Sequence, residues 1–268
     1  MILFACDLDN TLLYSYRRNI GAVKRCVEVY QNREISFVTE KTHALLREAR
    51  RHTCVVPVTT RTEEQYARID FGMEAFSCAL TCNGGVLLLD GAEDASWYAQ
   101  SLALVEESRD ALAVGEDLMR QDKNRNFEVR NIRGLFLFTK SEKPLASARM
   151  LKRELRTERA DVFTNGAKVY LVPRNLNKGT ALMRLRKRLG PDLVIAAGDS
   201  VFDVPMLCEA DVALAPAELK QQAGCPEFTR FMPGREVFSE ELLSFVLNCA
   251  ASKKISDIAK VNEKITDK

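Results

Sequence analysis

Short, uninterrupted apolar runs recur in the first third of the chain and again near its end. They cover residues 2–6, 54–58, 78–81, 193–197 and 212–214. A run of this length is typical of a strand buried on both faces of a parallel sheet. Amphipathic stretches with helical spacing alternate with these runs, at residues 39–51, 63–71, 178–189 and 204–209. Strands that alternate with helices predict an α/β fold with a doubly wound, Rossmann-like parallel sheet as its core.

The pattern is different in the middle of the chain, after a short strand at 86–89. A helical stretch is followed there by a hairpin, at residues 101–120, 127–132 and 135–139. A second helix and hairpin follow, at residues 144–158, 161–164 and 168–172. The second hairpin turns at Asn165-Gly166, which is a strong turn signal. Two helix–hairpin units in succession predict an α+β cap of residues 87–172, inserted into a discontinuous core of residues 1–86 and 173–268.

The composition is consistent with the predicted fold. The 268 residues are 46% hydrophobic and 28% charged, as in an ordinary globular protein. With a formal net charge of +2, we expect neither nucleic acid nor a membrane surface as a partner. The 8 cysteines form no C-x-x-C pair and have no histidine placed to complete a zinc site, which favours reduced thiols. We therefore expect a cytoplasmic protein without a leader or membrane span, ending in a helix at 240–250 and a frayed lysine-rich tail.

Acidic residues directly follow two of the predicted buried strands. Asp7 and Asp9 come after the first strand, and Asp199 and Asp203 come after the strand at 193–197. Either pair alone is explained as well by a turn with an Asx cap. Together they place four carboxylates at the carboxyl edge of one sheet, where α/β proteins bind ligands. Such a cluster would repel itself without a cation, and an oxygen-rich set suits Mg²⁺.

Two further segments at the same edge indicate an anionic ligand. Thr59, Thr60 and Arg61 end the second strand, where a hydroxyl and backbone amides can hold phosphate oxygens. The same threonine would also serve as an N-cap of the next helix, and the two interpretations are compatible. Lys178 begins a predicted helix, although a lysine is unfavourable beside a helix N-terminus. This position suggests that Lys178 binds an anion.

These segments, in order, read DLDNT, TTR, NGG, NKGTAL and GDSVFDVPML. They resemble the motifs of the haloacid dehalogenase (HAD) superfamily of phosphatases, and they span nearly the whole chain. The insertion between the NGG loop and the NKG lysine resembles the large α/β cap of the subgroup of Cof-type and sucrose-phosphate-phosphatase-like enzymes. The resemblance therefore implies a magnesium-dependent phosphoric monoester hydrolase.

The resemblance also implies a role for each residue of the motifs. Asp7 would be the nucleophile that forms an aspartyl-phosphate, and Asp9 the acid and base that serves the leaving group and the water. Lys178 would bind phosphate and screen Asp7. Mg²⁺ would be held by the Asp7 carboxylate, the Asp9 main-chain carbonyl and Asp199, with Asp203 in support. The remaining phosphate- or substrate-binding candidates are Asn10, Thr59, Thr60, Arg61 and Asn83, the last also near the cap hinge.

The chain departs from the family pattern in three places. Thr60 stands where relatives usually have glycine, and Phe202 stands where an asparagine is common. Residues 14–35 lengthen the span between the first two motifs, and we expect them to form an extra flap or helix over the site. None of these departures removes a proposed ligand of the phosphate or the metal.

The leading hypothesis is hydrolysis of a small-molecule phosphomonoester, with a sugar phosphate implied by the resemblance alone. Arg130 and Lys168 on the cap hairpins are candidates to contact the leaving group, although solvated strand positions explain them as well. The first alternative is a phosphomutase or phosphotransferase on the same fold, since Asp9 can activate a sugar hydroxyl as well as water. The second is a non-catalytic binding or regulatory module, which retention of Asp7 and Asp9 disfavours.

Overall fold

The structure is a computed structural model that describes residues 1–156, 158–221 and 224–252. The strands of the first half are β1 (Ile2–Cys6), β2 (Tyr14–Ser15), β3 (Lys24–Tyr30), β4 (Arg33–Thr39), β5 (Cys54–Pro57), β6 (Cys78–Thr81), β7 (Val86–Leu89) and β8 (Ala92–Glu93). Those of the second half are β9 (Arg130–Ile132), β10 (Phe136–Lys140), β11 (Ala160–Asn165), β12 (Lys168–Pro173), β13 (Leu193–Ala197), β14 (Val212–Pro216) and β15 (Arg230–Met232). The helices are α1 (Glu40–His52), α2 (Glu63–Tyr66), α3 (Ala95–Val105), α4 (Arg109–Gln121), α5 (Pro144–Leu155), α6 (Lys178–Leu189), α7 (Val204–Cys208) and α8 (Phe238–Ala251).

A five-stranded parallel sheet in the order β15-β14-β13-β1-β5 forms the core. Its side chains are apolar on both faces because helices cover both. Phe4 and Ile195 pack on the side of α1 and α8, whereas Leu3 and Val194 pack on the side of α6 and α7. The prediction of a doubly wound α/β fold is confirmed. The sequence pattern missed β15, because three residues are too short to show a period.

Residues 14–39 form a three-stranded antiparallel sheet in the order β2-β4-β3, not a helix. The hairpin between β3 and β4 turns at Gln31 and Asn32, whose φ angles are 51° and 60°. Positive φ at both central residues matches the tight turn that the twist of a two-stranded ribbon prefers. This segment, the extra hairpin (residues 14–39), adds a wall beside the carboxyl end of the parallel sheet.

The helix predicted at 63–71 is too long, since α2 ends at Tyr66. The chain beyond it pairs with the extra hairpin: the Asp70 N–H donates to the Val27 carbonyl at 2.8 Å, and Ile69 forms an antiparallel bridge with Glu28. Strand-like pairing there replaces the helical hydrogen bonds that the local sequence would support. The stretch predicted as one helix at 101–120 is likewise two helices, α3 and α4, separated by a turn of 3₁₀-helix at Glu106–Ser108.

A four-stranded antiparallel sheet, in the order β11-β12-β10-β9, contains both predicted hairpins. We call it the cap sheet (β9–β12). Helices α4 and α5 pack on one face, against residues such as Leu137, Val169 and Leu171. The alternate side chains, including Phe136, Phe138 and Tyr170, line a cleft between the cap sheet and the carboxyl edge of the parallel sheet.

Strands β6, β7 and β8 form a small antiparallel sheet that continues the parallel sheet at β5, through a bridge between Val58 and Leu80. The helix α8 is present as predicted, whereas the tail predicted to fray lies outside the described residues from 253 onward. In the part of the chain that the structure describes, no helix has both the length and the apolar character needed to cross a membrane.

Candidate active site

The loop after β1 places Asp7 inside the protein. The Asp7 N–H donates to the Ala197 carbonyl at 2.9 Å, which prolongs the pairing of β1 with β13 by one residue. The chain then turns, with Leu8 accepting from the N–H groups of Leu12 and Leu13 at 2.9 Å. Asp7 is therefore only 6% exposed and points to the carboxyl end of the sheet, where a hydrogen bond of 3.4 Å joins it to the Thr11 hydroxyl.

The loop after β13 holds Asp203 rigidly. One carboxylate oxygen of Asp203 accepts from the backbone N–H of Asp199 at 3.1 Å, and from the N–H and hydroxyl of Ser200 at 2.9 Å each. Gly198 makes this turn possible, because a Cβ at that position would lie 2.2 Å from Asp203 Cβ. Asp203 is fully buried, and its other oxygen is left for Lys178.

Lys178 joins the two loops. Its ammonium lies 2.5 Å from the Asp7 carboxylate and 2.5 Å from that of Asp203, and the lysine is 1% exposed. Helix α6 brings it there because Gly179 allows close approach: a Cβ would lie 2.3 Å from the Pro205 carbonyl oxygen. The two carboxylates offset the burial of the ammonium and raise the pKa of Lys178 above its ordinary value.

Three carboxylates lie close enough together to bind one metal ion. Asp7, Asp199 and Asp203 each offer an oxygen within 4.8 Å of the others. Burial, and repulsion among these carboxylates, raise the pKa of Asp7 well above its usual range despite the opposing charge of Lys178. The same two causes raise the pKa of Asp199 to about 7. The single buried ammonium thus leaves this set short of positive charge, and a divalent cation with oxygen ligands fits it.

The Asp9 side chain is turned away from this set and toward Arg61. The guanidinium donates to both carboxylate oxygens at 2.8 Å, a bidentate pair. Burial acts to raise the pKa of Asp9, but the hydrogen bonds and charge of Arg61 outweigh it and lower the pKa. With 46% of its side chain exposed, Asp9 remains open to the cleft.

Arg61 is itself held by Glu28 of the extra hairpin, at 2.9 Å. Glu28 is only 2% exposed, and it also accepts from Arg68 at 3.2 Å and from the Ser36 hydroxyl at 2.6 Å. Sequence reasoning missed Glu28 because β3 was not predicted. The β-prone residues Val27, Val29 and Tyr30, followed by a turn at Gln31 and Asn32, were the signal that could have found the strand.

The other predicted ligands lie at different depths. Asn10 and Thr60 line the cleft, as does Arg61. Thr59 and Asn83 are 1% and 3% exposed and do not line it. The Thr59 hydroxyl accepts from the Arg61 N–H at 3.1 Å.

Asn83 lies behind the site, in the turn that follows β6, and it contacts the segment that precedes α6. Its amide donates to the Leu176 carbonyl at 3.0 Å, and its N–H donates to the Thr59 carbonyl at 2.8 Å. The contact joins the two segments that connect the parallel core with the cap sheet. This placement lies near the predicted hinge, and it leaves the phosphate-binding role of Asn83 a prediction.

The cleft over these groups has a volume of about 850 Å³ and is bounded by the loops, the extra hairpin and the cap sheet. Lys168 lines it, together with Lys140 on the neighbouring strand. Arg130 does not line it, since its guanidinium stacks over Phe127 at 4.9 Å and pairs with Glu128. The cleft is closed on one side by aromatic contacts.

Phe202 makes these contacts from the loop after β13. Its ring centroid lies 4.6 Å from that of Phe163 and 5.2 Å from that of Tyr170, both on the cap sheet. The side chain that replaces the expected asparagine therefore joins the acidic loop to the cap sheet by apolar packing. The sequence marked this position as unusual but could not show what it touches.

Residues 74–224 match the family described as haloacid dehalogenase-like hydrolase. The chain belongs to this family. It is 27% identical over 176 residues to a phosphoglycolate phosphatase from Methanopyrus kandleri, a match that covers 64% of the chain and 73% of the relative. The predictions of the family and of an enzyme of the phosphatase class are confirmed.

Solved structures of other proteins share the fold. The sucrose-phosphatase from Synechocystis sp. PCC6803, solved in complex with sucrose and phosphate, superimposes with a TM-score of 0.63 at 17% identity, over 92% of this chain and 97% of that one. The structure of the protein Thermoplasma acidophilum 0175 superimposes with a TM-score of 0.54 at 16% identity, over 92% of this chain and 97% of that one. At these identities the likeness concerns the fold alone.

Proposed function

We propose that this protein hydrolyses a small-molecule phosphomonoester in a magnesium-dependent reaction that passes through an aspartyl-phosphate on Asp7. The observation that carries the proposal is the position of Asp7: a buried carboxylate at the carboxyl end of β1 that contacts Lys178 and lines the cleft. The alternative of a phosphotransferase has no observation that favours it over hydrolysis.

In the first step an Asp7 oxygen attacks phosphorus, and the bond from phosphorus to the ester oxygen breaks. Lys178 holds the other Asp7 oxygen and so sets the direction of the attacking one. The leaving oxygen takes a proton from Asp9. In the second step Asp9 takes a proton from water, which attacks the phosphorus and frees Asp7, so each group returns to its starting state.

Arg61 links substrate binding to the state of Asp9. A phosphate group is a bidentate partner for a guanidinium, as a carboxylate is, so the incoming phosphate competes with Asp9 for Arg61. Loss of the two hydrogen bonds from Arg61 raises the pKa of Asp9 toward that of the acid required in the first step. Glu28 retains Arg61 at the site while this exchange takes place.

The carboxylates of Asp7 and Asp199, with Asp203 in support, would hold Mg²⁺, and we keep the Asp9 main-chain carbonyl as a further ligand. When bound, the ion neutralises charge on the phosphoryl group and allows an anionic nucleophile to approach it. Lys178 already screens part of the charge of Asp7. Three hydrogen bonds to one oxygen of Asp203 fix the orientation of its carboxylate beside those of Asp7 and Asp199.

We also propose that residues 87–172 act as a cap over a core of residues 1–86 and 173–268, and that the substrate is a sugar phosphate or a similar metabolite. Support for the cap comes from the cap sheet, whose one face lies over the cleft. Support for the substrate class comes from the matched relatives, which are named for the phosphates of small organic molecules.

The decisive experiment measures phosphate release from a panel of metabolite phosphomonoesters with MgCl₂, for the wild type and for Asp7→Asn. We expect release by the wild type alone. Equal release by the two proteins would overturn the proposal. Identification of the organic product distinguishes hydrolysis from transfer, since a transferase yields a new phosphoester instead of free phosphate.

A further inference from the structure

The cleft face of the cap sheet carries two lysines directly opposite each other. Lys140 on β10 and Lys168 on β12 are partners in the antiparallel register, so their side chains leave the sheet side by side. Both line the cleft and both are half-buried. Like charges opposite each other on paired strands are destabilising, so this pair costs stability in the free protein.

Neither lysine has a carboxylate within ion-pair distance among residues 1–156, 158–221 and 224–252. Each ammonium lies over the face of an aromatic ring: Lys140 lies 4.6 Å from the centroid of Phe127, and Lys168 lies 5.7 Å from that of Phe138. Burial, together with repulsion from Lys140 and Arg61, lowers the pKa of Lys168, although the Asp9 carboxylate acts in the opposite direction. Elsewhere in the cleft most charges are compensated, as in the pairs of Arg61 with Asp9 and of Arg68 with Glu28.

The position of the pair relates it to the reaction. Lys168 lines the same cleft as Asp9 and Arg61, the groups proposed to meet the ester oxygen and the phosphate. The pair therefore lies on the side of the leaving group. Seven basic and four acidic side chains of the described residues line the cleft, an excess of positive charge beyond what one phosphate requires once a metal is bound.

We propose that Lys140 and Lys168 form a subsite for a second anionic group on the leaving-group part of the substrate, either a carboxylate or a second phosphate. The inference rests on the proposed phosphomonoester hydrolysis and narrows its substrate class. The anion removes the repulsion between the two ammonium groups, so binding of the correct substrate gains from relief of a strain already present. A neutral alcohol in the same place leaves both ammonium groups without an anion.

The test uses pairs of phosphomonoesters that differ only in the second charge. 6-Phosphogluconate and sorbitol 6-phosphate differ in a carboxylate against a hydroxymethyl group, and fructose 1,6-bisphosphate is compared with fructose 6-phosphate. We expect the wild type to prefer at least one anionic member by about 10- to 100-fold in kcat/KM, the range for a hydrogen-bonded charge pair. A preference in the first pair identifies the carboxylate, and one in the second pair identifies the phosphate.

The Lys168→Met variant should reduce that preference, measured as the ratio of the two kcat/KM values within a pair, to about threefold or less, because only the anionic member loses a charge contact with the substituted side chain. Lys168→Arg should keep most of the preference. Lys152→Met is the matched control, since Lys152 is an exposed lysine on α5, and it should behave as wild type. Binding of the same ligands to Asp7→Asn, which cannot turn over, should show the same order of affinities.

Two outcomes separate this inference from the proposed function. Equal phosphate release by the wild type and Asp7→Asn defeats the proposed function and the inference with it. Release that depends on Asp7, with equal kcat/KM inside both pairs or with a preference that Lys168→Met leaves intact, defeats the inference alone.

Discussion

Charged side chains are paired in the loops at the carboxyl edge of the parallel sheet. On the cleft face of the cap sheet two of them are not, among the residues that the structure describes. In the loops, Lys178 lies between Asp7 and Asp203, and all three are buried in mutual contact. On the cap sheet, Lys140 and Lys168 lie opposite each other, half-buried and without a carboxylate within ion-pair distance in the described ranges. The first arrangement is organised before any ligand binds, whereas the second is completed only by an anion from outside.

We infer from this difference that the two regions have different roles in the proposed reaction. Groups that carry out a reaction must be held in one geometry, and buried hydrogen bonds provide that. Groups that select a substrate gain discrimination when the wrong ligand leaves them unpaired. Substitutions in each region test whether the two regions differ in this way.

The largest effect is expected for Asp7→Asn, which keeps the size of the side chain and removes the proposed nucleophile. Phosphate release with Mg²⁺ should fall by at least about a thousandfold, because loss of a covalent catalyst leaves only binding and electrostatic help. Initial rates with the best substrate measure it. Asp161→Asn, at an exposed ion pair of the cap sheet, is the control and should retain wild-type rates. A rate within tenfold of wild type for Asp7→Asn would remove Asp7 from the reaction.

The next effect concerns stability. Lys178→Met leaves the carboxylates of Asp7 and Asp203 buried without a cation, and the free energy of unfolding should fall by about 3–5 kcal/mol. MgCl₂ should restore part of it, since an ion that binds these carboxylates in the native state stabilises that state. Urea unfolding with and without MgCl₂ measures both effects.

Lys187→Met is the matched control for that experiment, because Lys187 is exposed on the same helix. Its free energy of unfolding should stay within about 0.5 kcal/mol of wild type. If Lys178→Met were as stable as this control in the absence of Mg²⁺, the loops would not be a compensated network, and the contrast with the cap sheet would disappear.

Glu28→Gln tests whether the extra hairpin belongs with the organised loops. The substitution weakens the contact that holds Arg61, so Asp9 is positioned less well. We expect kcat for an alkyl phosphate to fall by about tenfold, which corresponds to about 1.4 kcal/mol. For p-nitrophenyl phosphate, whose leaving group needs no proton, kcat should change less than about threefold. Glu34→Gln, exposed on the same hairpin, should leave both rates unchanged. An equal loss for the two substrates would make Glu28 a structural residue only.

The smallest effect is expected where the two regions meet. Phe202→Leu keeps an apolar side chain but loses the ring contacts with Phe163 and Tyr170, which should cost about 0.5–1.5 kcal/mol of unfolding free energy. The exposed Phe228 provides the control Phe228→Leu, without a measurable change. Thermal unfolding measures the stability of both variants. If Phe202→Leu is as stable as the control, the ring contacts contribute no stability beyond the apolar area that they bury.

Much of the core could be predicted from the sequence. The apolar runs located β1, β5, β6, β13 and β14, because strands buried on both faces leave a continuous signal that needs no partner to be recognised. The second hairpin of the cap sheet followed from its turn at Asn165-Gly166. The errors have two causes. Residues beyond Tyr66 join the extra hairpin instead of continuing α2, because pairing with another segment overrode local preference. Strand β15 was missed because it is too short to show a period.

By itself the sequence determined which residues could carry chemistry, since the order of Asp7, Asp9, Thr59, Lys178, Asp199 and Asp203 along alternating strands and helices assigns all of them to one edge of one sheet. Only the tertiary structure decided their partners. The contacts of Arg61 with Glu28, of Phe202 with Phe163, and of Lys140 beside Lys168 depend on strand register and on the approach of separate sheets. Register follows from burial summed over a whole face, and no single segment contains that information.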